Sequence, residues 1–128
     1  MGTLVDSSVI VAVERGVVPI ERLIDESLVI AAITASELLQ GVHAADAARK
    51  SRREAFVEGV LAHAQILSFD VVVARVHARV RVELAGRGQM IGALDLMIGA
   101  TALAHGLAVA THNVREFERI PGLELVRI

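Results

Sequence analysis

The chain has no cysteine. That excludes a disulfide framework, thiolate metal ligands and a thiol nucleophile, and it agrees with a cytoplasmic setting. Tryptophan and tyrosine are also absent, and aromatic residues make up 2% of the 128 positions. The core must therefore be aliphatic, and platforms for stacking nucleobases are missing. No uninterrupted apolar run reaches the ~18 residues of a membrane span. No basic leader precedes the apolar N-terminal stretch, which is broken by Asp6, so no membrane role is expected. The net charge is −2, which is not the basic footprint of bulk nucleic-acid binding. A polyanion would have to meet local basic patches or a bound cation. Repeats, low-complexity tracts and interdomain linkers are missing too, and the length suits one domain over residues 1–128.

What is present is aliphatic: hydrophobic residues make up 54% of the chain. On so small a domain that points either to a second buried surface, in an oligomer or against a partner, or to an unusually alanine-rich core. Short apolar runs alternate with helical patterns. "TLV" (3–5) reads as a buried strand, followed by a helix from Ser7 or Ser8 to about Arg15, closed by Gly16. Pro19 opens a short helix, "PIERLID". "LVIAAI" (28–33) is a second strand, with Thr34 capping the next helix. A longer helix runs from Asp46 to about Ala64, and "QILSF" (65–69) is a third strand. Asp70 caps a helix whose Val73, Val76, Val80 and Leu84 form one stripe. After the loop "GRGQMIG" (86–92), Asp95 opens an apolar helix through Ala104. "LAVAT" (107–111) is a strand, Asn113 to about Arg119 a short helix, and "LELVRI" (123–128) a last strand. Continuous apolar strands between helices predict an α/β fold with a parallel sheet covered on both faces.

The acids fall at the starts of helices. Asp6 follows the first strand, Glu37 lies early in the helix after the second, Asp95 begins the apolar helix, and Asn113 and Glu116 follow "LAVAT". Each can be a helix cap or a capping-box partner (Thr34 with Glu37, Asn113 with Glu116). Taken together they say more. Strands of a parallel sheet end on one edge, and ligands bind in the crevice beyond it. Carboxylates crowded there repel unless a cation lies between them. All-oxygen ligation suits Mg²⁺ or Mn²⁺, as in phosphodiester hydrolysis.

"TLVDSSVI" (3–10), "ITASELLQGV" (33–42) and "IGALDLMIGATALAHGLAVATHNVREFERIPGLELV" (91–126) resemble the PIN-domain family in order and spacing. More narrowly, they are similar to its VapC-type toxins. The resemblance runs nearly end to end. It implies a three-layer α/β/α sandwich with a central parallel sheet and a Mg²⁺-dependent (Mn²⁺ possible) endoribonuclease leaving a 5′-phosphate. It also implies a cognate VapB-like antitoxin and a homodimer. Carried over, Asp6, Glu37 and Asp95 are the metal-binding and catalytic acids. Asn113 stands at the T-x-N position as a further metal ligand through its carbonyl, and Glu116, where many relatives carry aspartate, is a further catalytic acid.

Ser7 and Thr111 are candidates to hold carboxylates or waters from behind. Arg49, Arg52 and Arg53, with Lys50, can grip an RNA backbone or form a solvated helix face. Arg87 is a further candidate for phosphate contact. His112 lies beside Asn113. "GRGQMIG" follows a helix rather than a strand, so it is no dinucleotide fingerprint. Two other readings remain at this point: an RNA-processing nuclease of the same fold outside a toxin–antitoxin pair, and a non-catalytic metal- or RNA-binding module.

Overall fold

The computed structural model describes residues 2–24 and 27–128. Five strands, β1 (Thr3–Val5), β2 (Val29–Ala31), β3 (Gln65–Leu67), β4 (Ala108–Ala110) and β5 (Leu125–Val126), form one sheet in the order β3-β2-β1-β4-β5. Every pairing is parallel. Seven helices connect and cover them: α1 (Ser7–Glu14), α2 (Glu21–Ile24), α3 (Ala32–Ala44), α4 (Ala47–His63), α5 (Val71–Gly86), α6 (Ala93–Ala104) and α7 (Val114–Phe117). This is the α/β sandwich that the run of apolar strands predicts.

Successive strand residues point to opposite faces, and the core divides accordingly. Val5, Ile30 and Ala110 join Val9 and Ile10 of α1, Leu38 of α3 and Val57 of α4 in one cluster. Leu4, Ala31 and Val109 join Leu84 of α5, Leu96 of α6 and Phe117 of α7 in the other. The chain steps outward from β1 to β2 and β3, then returns to β4 on the other side of β1. The connections on either side of that reversal cover opposite faces, as right-handed crossovers require. The reversal leaves a crevice beyond the C-terminal ends of β1 and β4.

The elements differ from the sequence-based expectation at their ends. The strands have two or three residues, because the helices begin where the ladder stops. "LVIAAI" yields only Val29–Ala31, and α3 starts at Ala32 with Ala31 at its N-cap position. Thr34 is therefore inside the first turn, fully buried, and is not a cap. Asp95 is the third residue of α6, whose N-cap is Gly92. The helix after Pro19 begins at Glu21; the end of "PIERLID" at Asp25 lies outside the described residues. Asp46 and Asp70 do cap, accepting from the amides of Arg49 and Val73 at 3.0 Å each.

Helix α6 lies against α7 and the turn after it so closely that Gly99 has no room for a side chain. A Cβ there would overlap Ile120 Cδ1 and touch Leu123 Cδ2 and Phe117 Cδ1. Gly59 of α4 has nothing within 4 Å of the same position. Gly99→Ala is expected to lower stability by about 1–3 kcal/mol through overpacking. Gly59→Ala is expected to raise it by roughly 0.5–1 kcal/mol through helix propensity. Urea denaturation of the two variants checks the pair of signs.

Candidate active site

The crevice is built around Asp6. Its amide donates to the Ala110 carbonyl at 2.9 Å, one step beyond the ladder. Its carbonyl accepts from Val9 and Ile10, starting α1. The side chain does not cap that helix. It is 4% exposed and is held by hydroxyls. Thr111 Oγ1 donates to Oδ2 at 2.7 Å, and Ser8 Oγ donates to the same oxygen at 2.9 Å. Both hydroxyls are fixed in turn: Ser8 Oγ accepts from the His112 amide (3.1 Å) and Thr111 Oγ1 from the Asn113 amide (2.9 Å). Oδ1 has only a long 3.5 Å contact from Ser7 Oγ. Thr111 thus supports a carboxylate, as its position after the strand suggests. Ser8 was missed; its signal was its place two residues after Asp6, where a hydroxyl can turn back to the carboxylate.

Glu37 projects from the second turn of α3, half-buried, and its Oε1 is buried with no hydrogen-bond partner. Burial raises its pKa above the ordinary 4.5, and the Asp6 charge raises it further; a hydrogen bond from Ser7 pulls the other way, and Asp95 adds a smaller push upward. Thr34, one turn earlier on α3, carries a second unpartnered hydroxyl. Asp95, in the first turn of α6, is raised from the ordinary 3.8 by burial and then by Asp6, against a hydrogen bond from Asn113 and with a further push from Glu116. Asp6, Glu37 and Asp95 therefore lie in one another's field. None of the ion pairs among the described residues reaches them; those join Arg49 to Asp46, Arg53 to Glu14 and Arg87 to Glu83.

Asn113 occupies the N-cap position of α7 without capping it. Its Nδ2 donates to Asp95 Oδ2 at 2.8 Å, so the amide, not the carbonyl, faces the carboxylate. Glu116 Oε2 accepts from the Gly92 amide at 3.0 Å. His112 turns away, its Nε2 3.2 Å from the Ile128 carbonyl. Arg53, with Ser7 and Glu37, lines a cavity of about 270 Å³ between α1, α3 and α4. With Glu14, Arg15, Arg49 and Arg52 it also lines an adjoining cleft. Arg87 lies in a separate cleft with Gln89 and Arg119 and is paired with Glu83 at 2.7 Å.

The donors at the crevice are carboxylate and hydroxyl oxygens, the set that hard divalent cations take. Glu37 Oε1 is a desolvated carboxylate oxygen without a partner, a costly arrangement that a cation would relieve. Among the described residues no three carboxylate or imidazole side chains converge closely enough to form a ready-made three-ligand group. The chemistry fits an ion that keeps several waters and takes few carboxylates directly, as Mg²⁺ does.

The PIN domain profile matches residues 3–123. Ribonuclease VapC1 of Rickettsia felis is 35% identical over the whole of this chain and 97% of its own length. The tRNA(fMet)-specific endonuclease VapC of Salmonella typhimurium is 40% identical over 75% of this chain and 71% of its own. Among solved structures, DNA-bound VapBC from Salmonella typhimurium superposes with a TM-score of 0.90 at 31% identity, covering 99% of this chain and 98% of that one. VapBC2 from Rickettsia felis, bound to a fragment of promoter DNA, gives 0.89 at 25% identity, covering 100% and 99%. Matched in profile, in sequence and in architecture over nearly its whole length, the chain belongs to the PIN-domain family, in its VapC group.

Proposed function

We propose that this chain is a Mg²⁺-dependent endoribonuclease, able to use Mn²⁺, and the toxin of a pair whose VapB-like antitoxin silences it. The observation that carries the reading is the Glu37 carboxylate: desolvated, with one oxygen unpartnered, in the field of Asp6 and Asp95, and in none of the ion pairs among the described residues. Relatives named as ribonucleases and tRNA endonucleases, and neighbours solved as toxin–antitoxin complexes, support the activity and the partner.

In this reading Asp6, Glu37 and Asp95 hold the ion. Bound there, it supplies positive charge to the scissile phosphate and acidifies a water molecule. Ser8 and Thr111 occupy Asp6 Oδ2 and so turn Oδ1 toward the crevice. Ser7 lies between Asp6 and Glu37, its Oγ 3.5 Å from Asp6 Oδ1 and its side chain on the wall it shares with Glu37. Arg49, Arg52 and Arg53 neutralise RNA phosphates along the clefts that lead from Glu37, and Arg87 does so from its own cleft. Water adds to phosphorus, the 3′ oxygen leaves with a proton, and a 5′-phosphate remains. A homodimer belongs to the same reading, because Phe69, Val71 and Val72 leave apolar surface exposed near the β3 edge of the sheet.

Asp6→Asn is expected to keep the fold by circular dichroism and to lower RNA cleavage on the order of 10²–10³-fold. EDTA is expected to stop cleavage and Mg²⁺ to restore it. Cleavage unchanged in EDTA overturns the metal reading, and metal binding without turnover on any RNA pool favours the non-catalytic module.

The crowded acids also predict a pH dependence. Glu37 and Asp95 titrate higher in the folded chain than the ordinary 4.5 and 3.8. The native state therefore holds more protons than the unfolded one, and metal-free stability falls as pH rises from the ordinary carboxylate range through the raised values. Glu37→Gln removes one contribution. It is expected to melt with wild type at low pH and to be more stable above that window. Thermal melts at stepped pH in EDTA check this; a constant difference across pH rules out the charge origin.

A further inference from the structure

Three side chains in and flanking α7 reach across to the segment that leads into α6. Asn113 Nδ2 donates to Asp95 Oδ2 (2.8 Å), Glu116 Oε2 accepts from the Gly92 amide (3.0 Å), and Arg119 Nη1 donates to the Met90 carbonyl (3.0 Å). Positions i, i+3 and i+6 fall along one side of a helical turn. Their partners run in the opposite order, 95, 92, 90. The row stands on a firm base, since Phe117 and Ile120 are buried and Ile120 packs directly against Gly99 of α6. Two of its three contacts end on the backbone of the loop that sets where α6 begins.

One oxygen of Glu116 is thus already committed. Its oxygen satisfies the amide of Gly92, the N-cap residue of α6, and Asp95 stands in the first turn of that helix. An amide needs an acceptor oxygen, which a neutral side chain supplies as well as a charged one. With a neutral side chain, a cation held at the same place would lose that negative charge and bind more weakly.

We propose that Asn113, Glu116 and Arg119 form a positioning row that fixes Asp95 by fixing the entry to α6, and that Glu116 acts on Asp95 through the Gly92 amide. The proposal rests on the reading of Asp95 as a cation-binding carboxylate. Asn113 steers Asp95 through its amide rather than ligating through its carbonyl.

The test uses the full chain and Mn²⁺ as probe. Mn²⁺ affinity by paramagnetic resonance, RNA cleavage, and amide hydrogen exchange over residues 88–96 are measured for wild type, Glu116→Gln, Glu116→Ala and Asp95→Asn. Glu116→Gln is expected to keep Gly92 protected and Mn²⁺ affinity within about threefold. Glu116→Ala is expected to lose that protection and to weaken Mn²⁺ binding and cleavage about 10–100-fold, the usual cost of removing a support behind a ligand. Asp95→Asn is expected to lose Mn²⁺ while Gly92 stays protected. The proposal is overturned if Glu116→Gln loses Mn²⁺ as fully as Asp95→Asn, or if Glu116→Ala changes neither exchange nor affinity. Should wild type neither bind Mn²⁺ nor cleave RNA, the metal reading fails separately. Gly92 exchange in the alanine and glutamine variants then still decides whether Glu116 is the acceptor.

Discussion

The register of β1 against β4 is the constraint on which the site depends. Val5 lies opposite Ala110, so the next residues of the two strands, Asp6 and Thr111, meet just beyond the ladder. Their 2.7 Å hydrogen bond closes the sheet edge and sets the rotamer of a carboxylate that is almost wholly buried. A slip of one residue would send Leu4, Val5, Val109 and Ala110 to the wrong faces, so the aliphatic core enforces this register far more strongly than any polar contact could. Packing specifies the chemistry here by specifying where each strand stops.

The same residue types at the same kind of position meet different fates at that edge and away from it. Asp46 and Asp70 stand before α4 and α5 and bond the third amide onward, as caps do. Asp6 and Asn113 occupy the equivalent place before α1 and α7 and make no such bond. Asp6 is drawn off by the hydroxyls of Thr111, just beyond β4, and Ser8, in α1, and Asn113 by Asp95. Local capping is worth about 1 kcal/mol. Its omission at the helices that border the crevice, together with the raised carboxylates, marks a site where local stability has yielded to convergence of charge.

This contrast explains what could be read from the sequence and what could not. The parallel sheet was legible because "TLV", "LVIAAI" and "LAVAT" are apolar throughout, and only strands covered on both faces are built that way. That Asp6, Glu37 and Asn113 with Glu116 share an edge followed from the sheet; Asp95 joins them because α6 starts there. Strand ends were not legible: "LVIAAI" has no residue that distinguishes strand from helix, and α3 begins inside it. Thr34 and Glu37 have the spacing of a capping box, but the helix had already started, so the box had no open amides to serve. The role of Ser8 was hidden because its partners, Thr111 and the His112 amide, lie about a hundred positions away and become neighbours only through β1–β4 pairing.

The near-neutral charge of the chain conceals a division of labour in space. Among the crevice carboxylates, Glu37, whose pKa is raised, lines a cavity whose other wall carries Arg53. Arg53 is kept from collapsing onto Glu37 by its own commitments, to Glu14 at 3.4 Å and to the Gly41 carbonyl. Had it paired with Glu37, the acids would be neutralised from within and the crevice would have no call on an external cation. Holding the arginine on Glu14 keeps opposite charges adjacent and unpaired. That state is unfavourable for an isolated protein, and it is suited to a ligand that brings phosphate to one side and a divalent ion to the other.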